Sequence, residues 1–332
     1  MHDSPMIDRI IRHISLRTPN LYAANVALLG LHYLLRNKEF PRALSSERAR
    51  LMDYIFWRSV GPWSDFEKSC VDKELSKAIA RRLCPGVAIA EPLDVFPADG
   101  LSFSTLKERL GAFTGAPAVA KPTHGAGAVL FLEEAPGEGV LRKFHRDCRS
   151  SYFPLFREGQ YHKLEKKVLI ERSIGDSAGR RAPDDYKFFC SRGRAFLCQI
   201  NLDRYGDHRL INVSVPGFRD SGVEYGTRRP DRPVRRPKRW RDFILFAERL
   251  SEPFDFVRID LYDGVDDIYF GEFTFTPGAG LTNFSDRQFD RWLYSQLSCG
   301  APPRARPAPR RRGHAPEVRQ QDAPLSSGLS GR

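Results

Sequence analysis

The sequence predicts an α+β fold, and three observations carry that expectation. Apolar residues recur at mostly helical intervals through the first 57 positions, as in Ile7, Ile10, Ile11, Ile14 and then Val26, Leu28, Leu29, Leu31, Leu34, Leu35. From position 118 onward the apolar runs shorten to strand length. Those runs are joined by short turns rich in glycine, which suit antiparallel hairpins and not parallel crossovers.

Residues 4–57 therefore read as a helical front piece whose apolar face packs into the protein; the same face would also suit a membrane surface or a partner. Asp65 to Cys84 has an N-cap candidate at its start and Pro85-Gly86 after it, so one amphipathic helix is expected there, with Lys73 inside it. Ala118–Lys121 and Ala128–Leu132 read as two short strands around the loop 122–127. Lys167–Glu171 is a further strand, and Tyr186–Cys190 pairs with Ala195–Ile200 across Ser191-Arg192-Gly193-Arg194. A helix follows near Trp240–Leu250. Phe254–Tyr262 and Ile268–Phe275 then form a second hairpin across Asp263-Gly264, and a last helix spans about Ser285–Leu297. An antiparallel sheet carrying helices is the resulting pattern. No internal repeat is visible.

At 332 residues the chain has room for roughly two domains of about 150 residues with a cleft between lobes. Its 41% hydrophobic content suffices for a core and argues against general disorder. The net charge of +12 is confined to two places. Residues 228–241 carry eight basic side chains against Asp231, and the stretch 298–332 carries seven arginines against Glu317 and Asp322. These nets, seven and five, account for the whole charge. The remaining body has no polyanion-binding bias, and nucleic acid is not an expected partner. The Pro, Arg, Gly and Ser content beyond Cys299 predicts a disordered tail.

The six cysteines show no metal or disulfide spacing, which suits free thiols in a reducing cytoplasm. Positions 1–20 lack a signal-peptide pattern. The longest apolar stretch, Leu21–Leu35, falls short of the ~20 residues that a spanning helix needs. Cytoplasmic localisation is expected, with peripheral membrane contact left open.

Three constellations carry chemistry. In Val257-Arg258-Ile259-Asp260-Leu261, strand alternation puts Arg258 and Asp260 on one face. In Gly271-Glu272-Phe273-Thr274-Phe275-Thr276 it groups Glu272, Thr274 and Thr276. Two carboxylates and a neutral oxygen suit Mg²⁺ and disfavour zinc. An ordinary ion pair of Asp260 with Arg258 or a lysine, beside a solvated Glu272, accounts for the same residues equally well. The second constellation, Val119-Ala120-Lys121-Pro122-Thr123-His124-Gly125-Ala126-Gly127, combines a lysine at a strand end with small residues that admit phosphate close to the backbone. It has neither Walker nor Rossmann spacing and equally describes a plain turn. Lys187, among Tyr186, Phe188 and Phe189, either snorkels to the sheet edge or faces an anion.

The order of Asp72-Lys73, Lys121-Pro-x-His-Gly-x-Gly, Glu171, Asp184-Asp185-Tyr186-Lys187-Phe188-Phe189, Arg258 with Asp260, and Tyr269-Phe270-Gly271-Glu272-Phe273-Thr274-Phe275-Thr276-Pro277-Gly278 resembles the ATP-grasp superfamily, and within it the TupA-like branch named for teichuronopeptide biosynthesis. The likeness runs over about residues 65–298. It implies two α+β lobes with antiparallel sheets sandwiching ATP: a lid lobe of about 118–173 and a metal-binding lobe of about 174–298. A segment 61–117 and a helical region 1–60 precede them, and 299–332 is the tail. It further implies that Lys73, Lys121, His124, Gly125, Ala126, Gly127, Glu171 and Lys187 contact the nucleotide. Asp260, Glu272 and Thr274 would hold Mg²⁺, Thr274 standing where the superfamily usually has Asn. Arg258 and Lys187 would stabilise charge on the transferred phosphoryl group. The implied activity is ATP-dependent ligation of a carboxylate to an amine through an acylphosphate, in the biosynthesis of a cell-surface polymer. Two other classes compete: a glycosyltransferase using an acidic pair such as Asp184-Asp185 or Asp266-Asp267, and a polyanion-binding module using the basic insert and tail.

Overall fold

A computed structural model describes residues 13–176 and 179–297. The expected helical start at residues 4–12 and the expected disordered tail lie outside those residues. Helices α1 (Tyr22–Asn37) and α2 (Leu51–Val60) form the front piece and meet through Leu29, Tyr33, Phe56 and Val60. Buried Arg157 ties this region to the body. Its guanidinium donates to Ser15 Oγ at 2.8 Å, to the Thr18 carbonyl at 2.9 Å and to Asn25 Oδ1 at 3.2 Å, so neutral oxygens satisfy a cation withdrawn from water.

The single helix expected over Asp65–Cys84 is two, α3 (Asp65–Val71) and α4 (Leu75–Leu83). Ser64 caps α3 and forms a reciprocal box with Glu67. Asp72 takes an extended conformation, and its Oδ1 accepts from the backbone N–H groups of Glu74 and Leu75 at 2.9 and 3.0 Å. One aspartate thus stops α3 and satisfies the start of α4. Lys73 lies in the intervening turn and not within a helix.

Two sheets follow. Strands β1 (Ala88–Ile89), β2 (Pro92–Pro97), β3 (Ala118–Pro122), β4 (Leu130–Phe131), β5 (Lys167–Arg172), β6 (Asp185–Ser191), β7 (Arg194–Leu202), β8 (Arg209–Ser214), β9 (Val257–Asp263) and β10 (Ile268–Thr274) divide into a four-stranded sheet ordered β2-β5-β3-β4 and a six-stranded one ordered β1-β10-β9-β6-β7-β8. All pairs are antiparallel except β1 with β10. Segment 61–117 supplies a strand to each sheet, β1 to the larger and β2 to the smaller.

Helices α5 (Phe103–Gly111) and α6 (Glu138–Arg149) cover one face of the smaller sheet, burying Leu106, Leu110, Leu141 and Phe144 against Ala118, Ala120, Val168 and Ile170. Helix α8 (Trp240–Ser251), with α3 and α4, covers one face of the larger sheet, where Phe243 and Ala247 meet Phe188, Ile259, Leu261 and Phe270; the short α7 is Phe153–Phe156. The opposite face of the larger sheet carries Lys187 and Phe189 by alternation. Helix α2 and the last helix α9 (Arg287–Ser295) cover part of it through Ile55, Leu293, Phe189 and Leu197. Polar residues occupy the remainder of that face.

Candidate nucleotide and metal site

The register sets Lys187 of β6 opposite Asp260 of β9, and Asp260 opposite Glu272 of β10, so three charged residues stand abreast across three strands. Simple alternation along β10 would put Phe270 on the same face as Glu272. The register shifts between them, so Gly271 is an extra residue that turns Phe270 into the core while Glu272 stays opposite Asp260. Glycine suits the place: a Cβ there would lie 2.7 Å from the Tyr262 ring and 3.0 Å from the Asp260 carbonyl oxygen.

Arg258 binds this row together. Its Nε and Nη2 reach the two Asp260 oxygens at 2.6 and 2.7 Å, and Nη2 also reaches Glu272 Oε1 at 3.2 Å and Thr274 Oγ1 at 3.0 Å. The Thr274 hydroxyl donates to the same Glu272 oxygen at 2.8 Å. Lys187 pairs with Asp260 and, at 2.5 Å, with Asp185. Burial works against a charged Glu272, but Lys73, Arg258 and Lys187 outweigh it and hold the carboxyl well below the usual range. Burial raises Asp260 in spite of Arg258 and Lys187, with the Asp185 and Glu272 charges adding to it. Thr276, grouped with Glu272 by alternation, leaves the row. Its hydroxyl donates to Glu158, and Gln160 donates to Thr276 in turn, because the chain abandons the strand after Thr274.

A second cluster lies on the smaller sheet. Glu171 of β5 forms ion pairs with Lys121 of β3 at 2.5 Å and with Lys77 of α4 at 2.6 Å. Burial pushes its carboxyl up, yet the two ammonium groups bring it below the ordinary value. Lys73 joins this side to the metal-ligand candidates. Its backbone N–H donates to the Thr123 carbonyl at 3.2 Å, its ammonium donates to the Gly125 carbonyl, and its charge acts on Glu272. Within the loop, Gly127 has φ +85°, and a Cβ on Gly125 would sit 3.1 Å from Tyr152. Gly125, Ala126 and Gly127 line a cavity together with Lys143, Asp147 and Tyr152. His124 has its Nε2 3.1 Å from the Ser150 carbonyl.

A cleft opens between the sheets, lined by Val119, Lys121, Phe131 and Glu171 on one side and by Asp185, Arg204, Tyr205 and Tyr262 on the other. Its apolar walls with a few charged groups suit a planar heterocycle carrying polar edges. Two residues of these clusters were missed in the sequence as site members. Asp185 is buried at the start of β6, not in a turn, and pairs with Lys187 and Arg204. Lys77 lies four residues after Lys73, within α4, and its ammonium reaches Glu171 of β5.

The donor set fits a hard cation. Glu272, Asp260 and Thr274 offer oxygen only, Glu272 is ionised, and its side chain keeps about 35% of its surface open. No group of three or more His, Cys, Asp or Glu side chains that could hold a metal occurs among the described residues, so a cation here would share its shell with phosphate oxygens and water.

Glu158 is buried, and among the described residues its carboxylate accepts hydrogen bonds from Thr276 and Gln160 alone. Burial pushes its carboxyl up to about 7 against those two hydrogen bonds. A raised carboxyl stabilises the fold while protonated, and that stability is lost as the pH climbs through the folded value. Glu158→Gln is neutral throughout. Its gain over the parent in urea melts is expected to be near zero at acid pH and to reach about 3 kcal/mol above pH 8; a gain independent of pH would contradict this.

The family model described as TupA-like ATPgrasp matches residues 112–298. No curated protein matches the chain. Among solved structures, the chain is similar to the ATP-grasp ligase PsnB complexed with minimal precursor, at 11% identity and TM-score 0.35 over 70% of this chain and 62% of that one. It is also similar to D-alanine-D-alanine ligase from Helicobacter pylori, at 15% identity and TM-score 0.37 over 70% and 60%. A third likeness is to L-amino acid ligase from Bacillus licheniformis, at 13% identity and TM-score 0.36 over 66% and 44%. In each case the match spans less than two thirds of the other protein's length.

Proposed function

Because the chain belongs to the TupA-like ATP-grasp family, we propose that it is an ATP-dependent ligase, joining a carboxylate to an amine through an acylphosphate. The observation that carries this reading is the row Lys187, Asp260, Glu272, linked through Lys73 to the glycine loop. It offers an oxygen-only cation site within reach of cationic side chains, and ligation by phosphoryl activation needs both.

In this reading Glu272, Asp260 and Thr274 hold Mg²⁺, while the adenine enters the cleft beside Glu171. The cation–carboxylate cluster of Lys77, Lys121 and Glu171 orients it and the phosphates. Gly125, Ala126 and Gly127, tethered by Lys73, lie over the phosphates, and His124 steadies the loop through Ser150. Arg258 and Lys187, now engaged with carboxylates, take up charge that develops on phosphate oxygens. When bound, Mg²⁺-ATP supplies the γ-phosphoryl group that activates the acid. No protein nucleophile is needed. Lobes of about 118–173 and 174–298, extended by β1 and β2, frame the nucleotide.

We place the reaction in cell-surface polymer biosynthesis on the cytoplasmic side. The five described cysteines are free and buried, and no described helix is long and apolar enough to cross a membrane. The test is ADP release from Mg²⁺-ATP across a panel of acids and amines. Release that requires one acid and one amine together is expected. UDP-sugar binding that excludes ATP would replace the proposal with glycosyl transfer.

A further inference from the structure

We propose that residues 228–241 form a docking surface for a bilayer carrying anionic lipid headgroups. The segment holds eight of the cationic side chains and one acid, Asp231. Two cations are used internally: Arg229 pairs with Asp220, and Arg239 pairs with Asp263 and donates to the Gly264 carbonyl at 2.6 Å. Asp231 faces Arg209 at 3.8 Å. The other six, Arg228, Arg232, Arg235, Arg236, Lys238 and Arg241, are exposed and have no ion pair among the described residues.

This is a strap fixed to the body and not a free loop. The Arg228 carbonyl accepts from the Leu210 N–H at 3.0 Å, Val234 packs on the main core, and Trp240 is buried with its Nε1 donating to the Pro216 carbonyl at 2.8 Å. Pro230, Pro233 and Pro237 restrict the backbone between these anchors. Six like charges held together repel one another, an arrangement that an anionic partner relieves.

The partner's shape follows from the surroundings. None of the six cations lines the cleft between the sheets or the cavities beside Trp63, the glycine loop and Arg157. Two exposed apolar side chains flank the strap: Leu245, one helical turn beyond Arg241, is 43% exposed, and Val265, next to the Gly264 held by Arg239, is 57% exposed. Cations beside exposed apolar groups match the boundary between headgroups and acyl chains, whereas a soluble polyanion would use the charges alone. The strap is also tied near the cleft. Leu210, Asn201, Asp185 and Tyr262 stand in one row across four strands, Asp263 follows Tyr262, and Asp185 and Tyr262 line the cleft.

The test is sedimentation of the full chain with vesicles of equimolar phosphatidylglycerol and phosphatidylcholine, against phosphatidylcholine alone, at about 0.1 M salt. It is independent of nucleotide chemistry. The parent is expected to bind only the anionic vesicles, and less as salt rises. Joint replacement of Arg232, Arg235, Arg236 and Lys238 by Ser should weaken binding by at least about tenfold with an unchanged melting temperature. The pair Leu245→Ser and Val265→Ser should weaken it with the salt dependence intact. Parent-like binding by the four-site variant would overturn the proposal. So would a parent that binds soluble polyglutamate or duplex DNA at the same salt and ignores the vesicles.

Discussion

Glu272→Gln is expected to lower Mg²⁺-dependent ADP formation by about 100-fold or more while leaving the fold in place. The replacement keeps an oxygen that can accept from Arg258 and Thr274, so the local hydrogen bonds seen at 3.2 and 2.8 Å survive. What it removes is a full negative charge that Lys73, Arg258 and Lys187 hold ionised against burial. If that carboxylate holds the cation, turnover falls and higher Mg²⁺ restores part of it. If it serves only as a counter-charge for Arg258, turnover persists and the metal assignment is lost. Circular dichroism melts of the variant separate either outcome from unfolding.

Glu171→Ala is expected to be the most destabilising single change in the site. The carboxylate is 4% exposed and is the ion-pair partner of both Lys77 and Lys121, at 2.6 and 2.5 Å. Its loss leaves two neighbouring ammonium groups with little access to water, which costs about 3–5 kcal/mol. On a chain of this size that is a fall of roughly 6–20 °C in melting temperature. The pH dependence gives a second check. Glu171 is depressed in the fold, so its stabilising contribution is present above its unfolded value and is lost as the pH falls through the folded one. Parent and Glu171→Gln should therefore converge in stability in acid. Burial already lowers Lys77, and without Glu171 the alanine variant should recover stability as the pH rises and Lys77 loses its charge. A variant as stable as the parent at neutral pH would mean that water already screens the cluster.

Much of this protein is legible along the chain. Hairpins with period-two alternation declare which face of β9 is polar, and Arg258 and Asp260 do share it. The glycine loop is legible as the connection of a hairpin, and β3 does pair with β4 around it, but its small residues describe a plain turn equally well. The helix break at Asp72 was not, since Asp, Lys and Glu all tolerate a helix, and only the side-chain bonds to Glu74 and Leu75 end it there. Thr276 was misread because alternation holds only while the strand lasts, and the chain leaves it after Thr274.

The sequence by itself determined the set of chemical groups, their order and the strand faces they occupy, because those depend on local periodicity and turn chemistry. The tertiary structure alone decided which groups meet. Lys187, Asp260 and Glu272 stand abreast only through pairing register and the added residue at Gly271. Lys77 reaches Glu171, and Arg204 reaches Asp185, only through packing between elements apart in the chain. Contact between residues far apart in the chain is set by how the hydrophobic faces bury one another, and no local pattern records it.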